Sequence, residues 1–146
     1  MTLDPEDFDG PVGMPGYFTP ASDPRLYACG CQRKECDAPP VSTDLLARLN
    51  ILRYRLGRAL VVNSGPRCAV WNAKQGGART SDHLSGEGAD LRALTSGERD
   101  ELLEAIYTRP RLFVRVGIGR DFIHVGLPGT ERPARVAWTY YTAATA

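Results

Sequence analysis

The sequence predicts an α+β fold: one small domain with an antiparallel sheet and flanking helices. Three observations predict it. The chain has 146 residues, the length of one compact domain. Leu45, Leu46, Leu49, Leu52 and Leu56 recur at helical spacing, and a second helical stretch opens at Ser96. Short apolar runs suited to strands lie between and after these helices.

Taken in order, residues 1–24 are rich in Pro, Gly and Asp and read as an extended N-terminal arm that packs loosely; the domain proper spans 25–146. Residues 25–41 form an irregular loop with three cysteines and Pro39-Pro40. Ser42 or Thr43 caps the leucine helix and Gly57 stops it. Leu60 to Asn63 suits a buried strand, and Ser64-Gly65-Pro66 turns the chain. Ala69 to Gln75 is a short helix ended by Gly76-Gly77, and Gly88 to Leu91 a strand entered from a glycine-rich loop. Ser96 caps a helix that runs to about Tyr107, before Arg109-Pro110. Strands follow at Leu112 to Val116, Phe122 to Val125 and Val136 to Tyr140.

Composition excludes several classes. Lys plus Arg is 18 against 17 for Asp plus Glu, so no dedicated nucleic-acid or anionic-membrane surface is expected. There is no apolar run long enough for a membrane-spanning helix, and membrane insertion is not expected. The N-terminus is acidic where a signal peptide would be basic. The expectation is synthesis in the cytoplasm without a signal peptide, and a monomer. Cys29, Cys31, Cys36 and Cys68 leave three options open: disulfides, reduced thiols, or a second, structural Zn2+.

Only two histidines occur, His83 and His124, both in polar or glycine-rich settings. With Asp90 they make two imidazoles and a carboxylate, a set suited to one catalytic Zn2+ with a fourth position left for water. Zinc lowers the pKa of such a water toward about 7. Gly86 and Gly88 let the chain bend between His83 and Asp90. In a strand, His124 faces away from Ile123 and Val125. Asp121, three residues before His124, is a candidate proton carrier. Arg67 is a candidate for binding a substrate carboxylate or carbonyl, and Ser81 for a hydrogen bond to substrate or to the site. Trp71 and Trp138 read as packing residues, and Arg109, Arg111, Arg115 and Arg120 as a solvated basic face.

The stretch Ser64-Gly65-Pro66-Arg67-Cys68, with Asn72, Gly76-Gly77-Ala78, Ser81, His83, Gly86 and Asp90, resembles the M15 family of zinc D-Ala-D-Ala carboxypeptidases and phage murein endopeptidases. Gly117-Ile118-Gly119 and Phe122-Ile123-His124-Val125 continue the resemblance, which covers roughly residues 25–140 in the family's order. It implies a fold like that of the hedgehog and D,D-peptidase proteins, with zinc on His83, Asp90 and His124. It implies that Asp121 stands where the family has an acidic base, often Glu, and that Arg67 binds or polarises substrate. The implied substrate is a peptidoglycan stem peptide, reached by release on lysis or by carriage on a virion. Four positions depart from the family pattern: Asp121 for Glu, Pro66 for Tyr, Gly88 for Ala, and Gly126 where members often carry Asp. The last removes a carboxylate that would support the site. The rival reading is a catalytically weak or inactive peptidoglycan-binding module, or a phage structural component of the same fold.

Overall fold

The computed structural model describes residues 16–129 and 132–140. Most of the arm expected over residues 1–24 lies outside them. Its last part does not pack loosely throughout, because Phe18 is buried in the core.

The elements run α1 (Pro24–Tyr27), α2 (Thr43–Leu56), β1 (Val62–Ser64), α3 (Ala69–Lys74), a 3-10 turn (Asp82–Ser85), β2 (Gly88–Arg92), α4 (Ser96–Tyr107), β3 (Arg115–Ile118), β4 (Phe122–Gly126) and β5 (Val136–Thr139). Helix α2 forms where the leucine spacing predicts it. Ser42 accepts from the Leu45 N–H at its start, and Gly57, at φ 73°, closes its end in the left-handed region. Leu45, Leu49 and Leu52 are fully buried. Arg48 on the same face is also buried, which its neighbours explain: its guanidinium donates to Asp44 and to the Leu112 carbonyl. Thr95, one residue before α4, caps that helix by accepting from Glu98 N–H.

The five strands form one sheet in the order β1-β2-β4-β3-β5. The first three pairings are antiparallel, as expected, but β5 lies parallel to β3, so the sheet is mixed. Strand β5 thus lies at the edge of the sheet beyond β3 and runs the same way as β3. The expected strand over Leu112 to Val116 begins later, at Arg115. Leu112, Phe113 and Val114 are buried without joining the strand, because an apolar run reports burial and not ladder pairing. The same distinction moves β1 from Leu60 to Val62.

Alternation divides the sheet into two faces. Ala89, Leu91, Val116, Ile123 and Val125 face the core with α2 and α4. On the other face, register aligns one row across all five strands: Ser64, Asp90, His124, Gly117 and Trp138. The neighbouring row on that face holds Gly88, Gly126 and Arg115. No helix among the described residues is long and apolar enough to cross a membrane.

Candidate metal centre

The row that crosses the sheet places Asp90 and His124 side by side, and the 3-10 turn brings His83 down onto them. Asp90 Oδ1 lies 3.1 Å from His83 Nε2 and 2.9 Å from His124 Nδ1. One carboxylate oxygen and two imidazole nitrogens therefore meet at one point, with the three ligand atoms within 4.8 Å of one another.

Each imidazole is oriented by its other nitrogen. His83 Nδ1 lies 2.8 Å from the Gly65 carbonyl, and His124 Nε2 lies 2.8 Å from Asp82 Oδ2. Those partners leave His83 Nε2 and His124 Nδ1 to face Asp90, the arrangement by which histidine ligands are commonly fixed. Ser81 caps the turn by accepting from the His83 N–H at 3.2 Å. The His83 carbonyl accepts from the Arg67 N–H at 2.9 Å, which ties the turn to the chain after β1.

Asp82 was not singled out by sequence reasoning, yet it is one of the most enclosed groups of the site. Its carboxylate takes His124 on one side and the guanidinium groups of Arg115 and Arg132 on the other, at 3.1 Å and 2.7 Å. Arg115 is thus no part of a solvated face; it is half-buried and also lies over the Trp138 ring. Asp82 fills the space above the paired glycines Gly88 and Gly126. A Cβ on Gly88 would come within 2.6 Å of Asp82 Cβ, and one on Gly126 would strike the carboxylate itself.

The charges follow from these contacts. Burial disfavours the ionised Asp90, but hydrogen bonds from His124 and His83 outweigh it and hold the carboxyl well below the usual carboxylate range. Asp82 is likewise held low: burial opposes ionisation, and His124 and Arg115 overcome it. Burial pushes His83 down, and Asp90 only partly offsets that. His124, between two carboxylates, is raised despite its burial. Two nitrogens and an anionic oxygen around one point suit a divalent ion such as zinc.

Arg67 enters from the turn after β1 and is buried. It donates to Ser64 Oγ at 3.1 Å, Asn72 Oδ1 at 3.2 Å and Asp90 Oδ2 at 3.3 Å. Its two terminal nitrogens each carry a second proton, which leaves donors toward the cleft. That cleft has a volume of about 540 Å³ and is lined by Arg67, Ser81, His83, Asp90, Trp138 and Tyr140 among others. Trp138 packs 5.6 Å from the His124 ring, across Gly117, where a Cβ would collide with the indole. Burial and the Asp90 charge push the Tyr140 phenol up to about 12, so it stays a neutral donor at the cleft.

The structure brings together His83, Asp90, His124, Arg67 and Ser81. It leaves Asp121 outside this group. Asp121 is exposed in the turn between β3 and β4, its carbonyl accepts from Ala93 N–H, and it is not among the residues lining the cleft. Asp82, Arg132 and Tyr140 carried no signal in the sequence beyond the position of Asp82 beside a histidine.

Residues 21–126 match the peptidase family described as Peptidase M15. No curated protein matches the chain. The match includes His83, Asp90 and His124, the three residues that converge, and ends before β5, which supplies Trp138. The chain belongs to the peptidase M15 family.

Proposed function

We propose that this protein is a zinc metallopeptidase that hydrolyses peptide bonds in peptidoglycan stem peptides, as a D-Ala-D-Ala carboxypeptidase or a murein endopeptidase of the phage endolysin kind. The observation that carries the reading is the meeting of His83 Nε2, His124 Nδ1 and Asp90 Oδ1 at the head of an open cleft, with Arg67 anchored beside them. Zinc on these three residues would supply a Lewis acid and an activated water.

The chain's own residues do the remaining work. Arg67 presents its outward N–H groups to a substrate carboxylate or to the scissile carbonyl, and Asp90 and Asn72 hold the guanidinium rigid while it does so. Asp82 keeps the His124 ring in one orientation. Trp138 and the neutral Tyr140 phenol give one wall an apolar surface and a hydrogen-bond donor. Asp121 is assigned the proton transfer by the family resemblance, although it is exposed and is not among the residues lining the cleft. The same reading has a monomer acting on the wall after lysis or from a virion, with no nucleic-acid partner and no insertion into a membrane.

The test is mass spectrometry of murein stem peptides and purified sacculi after incubation with the protein, with and without a chelator. A chelator-sensitive product supports the peptidase, and its mass identifies the bond. Absence of any product from zinc-loaded protein overturns it. The exposed position of Asp121 favours one second reading, a peptidoglycan-binding module with a retained metal centre. Stoichiometric binding of stem peptide without turnover would support that alternative.

A further inference from the structure

A second group of metal-binding side chains lies apart from the cleft. The sulfur atoms of Cys29, Cys31, Cys36 and Cys68 all lie within 4.8 Å of one another. A tetrahedral zinc with Zn–S bonds of about 2.3 Å sets its sulfurs about 3.8 Å apart. Cys29 Sγ and Cys68 Sγ are 3.8 Å apart. Disulfides would instead join the four two by two, with about 2 Å between bonded sulfurs.

Three further observations point to an ion at this place. Backbone N–H groups aim at two of the sulfurs, Cys68 N–H at Cys29 Sγ and Arg33 N–H at Cys31 Sγ, each at 3.4 Å. Such donors stabilise thiolates held by a metal. Gln32, directly after Cys31, lies in the left-handed region at φ 56°, a conformation uncommon for a non-glycine residue. Finally, no residue between Leu26 and Leu45 is buried. Tyr27 and Val41 pack against the core, but the residues between them add no buried side chain and no helix or strand, so what the cysteines bind would help to fix this segment.

We propose that these four cysteines form a structural tetrathiolate zinc site that clamps the irregular segment after α1 to the start of α3. Cys68 is the only ligand outside that segment, and it directly follows Arg67. The ion therefore fastens the segment to the turn that aims the cleft arginine. It does not touch the cleft, and its presence does not depend on the peptidase reading.

The test uses the full chain purified under reducing conditions and measures zinc by elemental analysis and native mass spectrometry. The expected result is two ions per chain, with one retained when both histidine ligands are replaced (His83→Ala, His124→Ala). Cobalt loaded into that double variant should show thiolate-to-metal charge-transfer absorption, and Cys36→Ser should abolish it. If Cys36→Ser fails to fold, the wild-type chain decides: its four thiols should resist a thiol reagent until the ion is stripped. An ion content that falls to zero in the double histidine variant, four freely reactive thiols, or a mass showing disulfides would overturn the proposal.

Discussion

The Asp82 carboxylate occupies the space that a side chain on Gly126 would fill, and from there it accepts the hydrogen bond of His124 Nε2. Strand alternation puts residue 126 on the same face as His124, so an aspartate there could reach the same imidazole. This chain supplies the carboxylate from position 82 instead. Gly126 and Gly88, its partner across the ladder, are the small residues that make room. The two glycines that the resemblance marked as departures both leave room for the Asp82 side chain.

Asp82→Asn should therefore weaken zinc binding about 10- to 100-fold, as loss of an orienting carboxylate commonly does. Gly126→Ala should act in the same direction by displacing Asp82. Combining Asp82→Ala with Gly126→Asp should restore much of the affinity. Calorimetric titration with zinc checks all three; a double variant no better than Asp82→Ala alone would show that the two positions do not exchange roles.

Gly65 has a similar double duty. Its carbonyl orients His83 Nδ1, and a Cβ on it would lie 2.6 Å from the Arg25 carbonyl oxygen. Gly65→Ala should push α1 away at a cost of about 1–3 kcal/mol, the usual penalty for overpacking. It should also lower zinc affinity, since the carbonyl moves with the turn. Denaturant midpoints and zinc titration measure the two effects separately.

Arg67→Lys keeps a positive charge but loses the fork that spans Ser64, Asn72 and Asp90. A lost charged hydrogen bond is worth about 1.5–3 kcal/mol, so kcat/KM on stem peptide should fall about 10- to 100-fold. Zinc content should stay unchanged. An unaltered kcat/KM would remove Arg67 from substrate binding.

Asp121 is decided by two replacements. If it transfers the proton, Asp121→Asn should lower kcat by about 10²- to 10⁴-fold, while Asp121→Glu retains activity. Zinc binding should be the same in both. Full activity in the Asn variant would return Asp121 to the role of an exposed turn residue.

The meeting of His83, Asp90 and His124 was legible because chemistry restricts the choice: the chain has two histidines, and the structure brings both to one carboxylate. Helix α2 was legible because its leucines repeat over about three turns and both ends are capped. Asp82 was not, since a carboxylate beside a histidine looks the same whether it points to solvent or inward. Its role depends on Arg115, Arg132 and Gly126, which come near it only through sheet pairing and the return of the chain after β4. The parallel placement of β5 was hidden for the same reason. A four-residue apolar run marks a strand but says nothing of which neighbour it joins or in which direction.

That placement has a consequence for how such a site can change. The three side chains that converge and the arginine beside them come from positions 67 to 124, while Trp138 and Tyr140 stand at the cleft only because an edge strand docks beside β3. An edge strand is bound to the sheet along one side alone. Its cleft-facing side chains can be exchanged, or its approach altered, without moving Asp90 or His124. The wall of the cleft can therefore change in the last strand while the three converging side chains stay as they are.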